Sequence, residues 1–217
     1  MKRRIARIGT ALLVVLVMGG SAASAAQAHE WTVEGSPLTT TATLKFPKAS
    51  ELNFEFVAPG TGVVTHWHCP VTSSEGTIQS AGKGTLHFAI PKCTFEYSGG
   101  ETKCTLETVT NPTLNGELTT VEGGIDEKLT PATGEVAFEW KMGANCNTPG
   151  LLIYAKGSFS ARIPSPGTAL EHAFETSAAI NDAAGTNLSW GGTKVRLQAT
   201  WGNVLGGTFA EKKWAAK

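Results

Sequence analysis

Four separate segments alternate apolar and polar residues with a period of two, the spacing of strands that bury one face. In residues 51–57, Leu52, Phe54 and Phe56 fall on one side and Asn53 and Glu55 on the other. Residues 63–71 set Val63, Thr65, Trp67, Cys69 and Val71 against His66 and His68. Residues 134–142 set Val136, Phe138, Trp140 and Met142 against Glu135, Glu139 and Lys141. Residues 193–201 set Val195, Leu197, Ala199 and Trp201 against Lys194, Arg196, Gln198 and Thr200. Residues 39–46, 84–90, 102–109, 114–122 and 151–163 add further strands.

Glycine-rich punctuation separates these runs, at Gly60-Thr61-Gly62, Gly82-Lys83-Gly84, Ser98-Gly99-Gly100, Gly123-Gly124 and Gly191-Gly192. Such residues supply the positive backbone angles of tight turns. Trp190-Gly191-Gly192-Thr193 reads as a two-residue hairpin, whereas Asn115-Gly116 reads either as a turn or as an irregularity within one strand. Residues 168–180 carry both periods. Local propensity favours a helix there; the corner Ile163-Pro164-Ser165-Pro166-Gly167 and the surrounding strands favour a strand with Leu170, His172, Phe174 and Thr176 alternating. The expected fold is all-β, an antiparallel β-sandwich or barrel-like curved sheet of about ten strands.

The first segment changes the compartment. Lys2, Arg3, Arg4 and Arg7 precede an apolar run from Ile8 to Met18 and a small-residue stretch ending Ala26-Gln27-Ala28. This is the order of a secretory signal peptide, and the run is too short to cross a bilayer as a helix. The expected organisation is a signal peptide over residues 1–28, cleaved near Ala28, and a single secreted β domain over 29–217 with no transmembrane anchor. Removing the leader takes four cations from the 18 Lys+Arg and leaves 14 against 18 Asp+Glu, a net of −4. A mildly acidic chain lacks the field that holds nucleic acid.

Outside the cell, the four cysteines Cys69, Cys93, Cys104 and Cys146 read as two disulfides. A hairpin folded about Ser98 and Gly99 sets Cys93 opposite Cys104, and opposed residues approach to about 4.5 Å between Cα atoms, within disulfide reach. That leaves Cys69 for Cys146. The pairing Cys69–Cys93 with Cys104–Cys146 stays open, because connectivity does not follow from spacing alone.

Three sets of side chains carry candidate chemistry. His66 and His68 project from one face of a strand, and His87 on a neighbouring strand would complete a three-imidazole metal site; solvated histidines are the simpler reading. Glu135 and Glu139 share a face, with Glu55 and Glu96 as neighbours, and a carboxylate pair would suit glycoside hydrolysis; a solvated strand face is again simpler. Trp67, Trp140 and Trp201 fall on core positions, while Trp31, Trp190 and Trp214 are the candidates for exposed aromatic platforms that stack on sugar rings. Asn187-Leu188-Ser189 matches a glycosylation sequon. No G-x-S-x-G elbow or phosphate-cradling glycine loop occurs, so no catalytic residue and no cofactor is expected.

The cysteine-bearing segments run Val63…Cys69, Gly76-Thr77-Ile78, Leu86-His87-Phe88…Cys93, Cys104, then Cys146 before Gly157-Ser158-Phe159. This order resembles a group of small secreted four-cysteine β-proteins, mostly uncharacterised, of high-GC soil bacteria. The resemblance covers residues 54–165, and Ala89-Ile90-Pro91-Lys92-Cys93 departs from the group's usual Phe-x-Gly-Cys ending. It implies export, β-structure and disulfides, and carries no functional site across. The expected function is an exported non-enzymatic β-domain, a binding or envelope-associated module in contact with the cell envelope or a polysaccharide. The alternatives are a secreted carbohydrate-active hydrolase using Glu135 and Glu139, or a metal-binding protein using His66, His68 and His87.

Overall fold

The alternation of the sequence closes on itself. The computed structural model describes residues 29–46, 51–57, 62–97, 100–121 and 124–217; the expected leader, residues 1–28, lies outside the described residues. The chain enters through two short strands, β1 (Trp31–Val33) and β2 (Ser36–Pro37), and then builds eight staves. The first runs from β3 (Ala42–Lys45) to β4 (Glu51–Val57), the second from β5 (Val64–Pro70) to β6 (Ser73–Ile78). The third joins β7 (Lys83–Ala89) to β8 (Lys92–Tyr97), and the fourth β9 (Gly100–Thr110) to β10 (Thr113–Val121). The fifth joins β11 (Gly124–Pro131) to β12 (Val136–Met142), and the sixth β13 (Leu152–Lys156) to β14 (Phe159–Ile163). The seventh passes from β15 (Glu171–Thr176) through helix α1 (Ala178–Ala183) to β16 (Ser189–Trp190); the eighth, β17 (Thr193–Leu205), is unbroken.

Each stave pairs antiparallel with the next, and β17 closes the ring at two levels. Its second part, Ala199–Leu205, lies between β15 and β3, and its first part, Thr193–Gln198, lies between β16 and β4. The result is a closed up-and-down barrel of eight antiparallel staves, which leaves no open sheet edge. Prolines mark the waist where the staves break. Pro70 ends β5, Pro131 ends β11, and Pro91 and Pro112 sit between segments, where a residue without an N–H cannot continue a ladder. Single bonds carry the wall across that waist, among them Thr72 N to Ala89 O (2.9 Å) and Ala132 N to Thr113 O (3.0 Å). At the seventh stave the ladder gives way to α1. There buried Asn181 accepts from Ser160 N (2.9 Å) through Oδ1 and donates to Thr176 Oγ1 (2.8 Å).

The waist divides the barrel into two halves. The disulfide half (β4, β5, β8, β9, β12, β13, β16 and the start of β17) is filled with aromatic rings. Trp67 lies 4.1 Å from Phe56, 4.8 Å from Trp140 and 5.6 Å from Phe95, and Phe54 meets Phe138 edge-on at 5.0 Å. The other half is mainly aliphatic, with Leu44, Ile78, Leu86, Leu114 and Leu129 inside and Trp201 between Phe88 and Phe174. A last strand, β18 (Trp214–Ala216), pairs with β1, so that β18, β1 and β2 form a small sheet over this half. Trp31 Nε1 donates to Lys83 O (3.0 Å), and Trp214 exchanges backbone bonds with Ala169 (2.8 and 3.0 Å). Charged and polar side chains such as Glu75, Lys83, Glu117 and Lys128 point outward, the reverse of a barrel wall that faces lipid.

The disulfides correct the preferred reading of the sequence. They join Cys69 to Cys93 and Cys104 to Cys146, with Cα atoms 4.2 and 4.9 Å apart, so neither Cys93–Cys104 nor Cys69–Cys146 forms. Tyr97 lies opposite Gly100, and the expected turn residues Ser98 and Gly99 lie outside the described residues. An irregularity between Phe95 and Tyr97 then slips the register and leaves Cys93 opposite Leu106 and Cys104 opposite Phe95. Cys93 thereby falls one step beyond the His68–Thr94 pair, facing Cys69. Three further points resolve. Residues 171–176 are strand with His172, Phe174 and Thr176 buried, and the helix begins only at Ala178. Asn115-Gly116 lies inside the continuous strand β10. Trp31 and Trp214 are buried at 1% and 0% exposure, so neither is a surface platform.

Candidate functional site

His66 and His68 stand outward on β5, as their alternation with Trp67 requires. Around them β4 and β17 supply Asn53, Glu55, Arg196 and Gln198, and Ala178 of α1 forms a rim; the depression encloses about 250 Å³. Its polar groups are bonded to one another. His68 Nδ1 lies 2.6 Å from Asn53 Oδ1 and 3.7 Å from Glu51, and Arg196 donates to Glu55 at 2.8 Å. His87 does not join them. It lies on β7 in the capped half, paired across the strands with Glu75 and Thr113, its Nδ1 3.0 Å from Thr113 Oγ1. Among the described residues no three His, Cys, Asp or Glu side chains are grouped to hold a metal ion.

Glu135 and Glu139 are separated by a break in the alternation. The register of β12 against β13 shifts between Val136 and Phe138, so Ala137 is buried beside Phe138 and the strict two-residue spacing of the segment is lost. Glu139 faces Tyr154 across the strands and accepts from Thr110 Oγ1 at 3.4 Å. Glu135, largely exposed, lies 4.0 Å from Lys156.

Lys156 and Ser189 join two depressions on this wall. One, of about 400 Å³, is lined by Thr130, Pro131, Glu135, Gly157, Ser158 and Asn187 in addition to that shared pair. The other, of about 340 Å³, is lined by Tyr154, Trp190, Gly191 and Gly192 together with the same pair. Tyr154 points outward because it alternates with buried Ile153 and Ala155. Trp190 borders the depression, but its ring lies on the core face of the wall, opposite Thr193 and packed on Phe56 (5.4 Å, edge-on) and Trp67 (6.1 Å). Of the six tryptophans it is the one that is not fully buried. The Gly191-Gly192 turn, with φ of 55° and 82°, keeps that side open, since a two-residue hairpin of this kind needs positive φ at both positions. Asn187 is held by its oxygen, which accepts from Ser158 N (3.1 Å) and Ser158 Oγ (3.2 Å).

Inside the capped half the sequence gives no warning of two polar groups. Glu127 of β11 is 5% exposed, and its carboxyl lies in a cradle made by Gly84 and Gly116, which face each other on β7 and β10. A Cβ on Gly116 would overlap Glu127 Oε1, and one on Gly84 would stand 3.2 Å from the same oxygen. Burial pushes this carboxyl up to about 7, because the charged form loses its water. His172 is buried under the cap, with Nδ1 2.9 Å from Ser165 O and Nε2 2.7 Å from Trp214 O. On the outer wall, buried Asp126 takes a forked pair of bonds from Arg162 (2.8 and 3.4 Å), which raises the guanidinium further.

Together these features define a disulfide-stapled, eight-stave up-and-down β-barrel with a filled interior and ligand-sized depressions on its outer wall. Among the described residues no helix is long and apolar enough to cross a membrane. No protein-family model, curated protein or solved structure matches the chain.

Proposed function

We propose that the chain is an exported, non-enzymatic β-barrel that works as a binding or envelope-associated module, akin to the secreted four-cysteine β-proteins it resembles. The observation that carries this reading is the pair of joined depressions at Tyr154, Lys156, Ser189 and Trp190. The Tyr154 ring and convergent polar groups meet there on the outer wall, a composition that suits a small-molecule or glycan seat. Two disulfides that staple neighbouring strands of the wall support an oxidising compartment, and cleavage near Ala28 leaves His29 at the start of the chain. The test is co-sedimentation of the exported protein with isolated cell envelopes and insoluble polysaccharide, together with an assay for released reducing sugar and mass measurement of the N-terminus. Sedimentation without sugar release, from a chain beginning at or near His29, is expected. Release of reducing sugar that is lost in Glu135→Gln or Glu139→Gln would contradict the non-enzymatic reading, and an exported chain retaining Met1 would contradict the leader.

A further inference from the structure

Glu127 points into the capped half, where an apolar side chain of the same size would pack without the cost of burying a carboxyl. The inner faces of Gly84 on β7 and Gly116 on β10 make room for it, since a Cβ on Gly116 would overlap its Oε1. The cap sheet seats on the same two strands. Trp31 donates through Nε1 to the carbonyl of Lys83, the residue before Gly84. His29 O lies against Gly82, 2.7 Å from where a Cβ would stand, and His29 Nε2 meets Thr120 Oγ1 on β10. Gly82 O in turn accepts from Leu118 N (2.9 Å), and Leu118 is the residue opposite Glu127 on β10. One edge of the cap therefore rests on the residues that enclose this carboxyl. The other edge rests on the corner before β15 and its first turn inward, through Ala169, Leu170 and His172.

From this we infer that Glu127 is a pH-operated latch: its protonated carboxyl lets the sheet of β18, β1 and β2 close on the barrel, and its ionisation releases that sheet. A carboxylate in this place needs water. The wall around it is continuous ladder, with Gly116 paired to Gly84, Leu118 to Glu127 and Glu127 to Ala161, whereas β1 and β18 pair over three residues. Segments held by few contacts open first, so the cap lifts before the wall parts. The inward neighbours on the strands packed against the carboxyl are Gly84 and Leu86 of β7, Gly116 and Leu118 of β10, and Ala161 of β14. Lys83, Glu117 and Lys128 alternate to the outer face, as does Arg162, which is engaged with Asp126. Neither β1 nor β18 brings a titratable side chain, and His172, the other titratable group inside this half among the described residues, is held at Ser165 O and Trp214 O. Closed, the carboxyl titrates near 7 because it is buried; under an opened cap it returns to the ordinary 4.5. The closed state is fully favoured below 4.5 and loses that advantage as pH rises through about 7.

The test is hydrogen exchange of the disulfide-intact protein from below pH 4.5 to above pH 8, with each amide corrected for its intrinsic rate at that pH. Opening of β1 and β18 is expected to rise roughly 300-fold between pH 4.5 and about 7, about tenfold per pH unit, and to level off above. Amides of β5 and β8 are expected to open at least about tenfold less often at every pH, because the cap moves without the disulfide half. Glu127→Gln, which keeps the shape and removes the charge, is expected to abolish the rise in β1 and β18. Opening of β1 and β18 that stays flat with pH in the wild type overturns the latch without recourse to any variant. Equal opening of β1, β18, β5 and β8 at every pH also overturns it, since Glu127 then acts only through unfolding of the whole barrel. A rise that survives in Glu127→Gln assigns the pH dependence to another group, His172 first, and overturns the role of Glu127.

Discussion

The two halves of the barrel are held by different means. In the disulfide half, Cys69–Cys93 ties β5 to β8 beside the waist and Cys104–Cys146 ties β9 to the turn after β12, around a core in which Trp67 lies within 5.6 Å of three other rings and within 6.4 Å of two more. The capped half has no covalent staple. It tolerates a buried carboxyl against two glycines, and it is sealed by a sheet made from the two ends of the chain. Local resistance to opening follows buried apolar contact and cross-links, so the disulfide half, with Tyr154 on its outer wall, is expected to open last.

The largest effect is expected from reducing both disulfides. Bridges across 24 and 42 residues contribute about 3–4 kcal/mol each in the chain-entropy model. Hydrogen exchange after reduction should show protection lost first in β5, β8 and β9; loss beginning in β1 and β18 would reverse the comparison. Next comes Trp214→Ala, which removes a ring lying 5.5 Å from Trp31 and 4.5 Å from His172. A cost of about 3–5 kcal/mol is expected, with exchange rising in β1, β18 and the β14–β15 corner while β5 and β8 stay protected.

Glu127 gives the third effect, and its sign is set by the raised folded value. Stability from this group is fully present below the ordinary carboxyl value of 4.5 and is lost as pH rises through about 7, where the buried carboxyl must ionise. The loss is of the order of 3 kcal/mol. Urea unfolding of wild type and Glu127→Gln at pH 4.5 and pH 8 isolates it: the variant should gain on the wild type at the higher pH, and an equal response of the two proteins would refute a buried, unpartnered carboxyl. The smallest effect is at Glu135, whose contact with Lys156 is long and exposed. Glu135→Gln should change stability by less than about 0.5 kcal/mol in thermal melts.

Much of the disulfide half is legible in the sequence because its strands obey one rule at a time. Residues 51–57 and 63–71 alternate cleanly, Trp67 and Trp140 sit on the buried side, and Gly191-Gly192 turns the chain as its composition demands. What is hidden there is register. The slip between Phe95 and Tyr97 moves both cysteines away from each other, and nothing in the residue types of that hairpin announces it. The shift after Val136 likewise spoils the spacing that makes Glu135 and Glu139 look like a pair.

The capped half is harder to read. Trp31 and Trp214 lie in three-residue strands at opposite ends of the chain, and only tertiary pairing buries them. In β11 the run Asp126-Glu127-Lys128 masks an alternation in which Ile125, Glu127 and Leu129 point inward. A signal did exist for the waist. Pro70, Pro91, Pro112 and Pro131 recur once in each of the second to fifth staves, as expected if those staves must stop donating to their ladders at the same height.

The central claim is a closed barrel whose register sets the two bridges, and peptide mapping of the protein without reduction tests it most directly. Proteolysis should recover Cys69 linked to Cys93 and Cys104 linked to Cys146. A Cys93–Cys104 peptide would mean that the β8–β9 hairpin keeps the simple register and that the wall is assembled differently. Free thiols at all four positions would contradict both the staples and the oxidising compartment inferred from them.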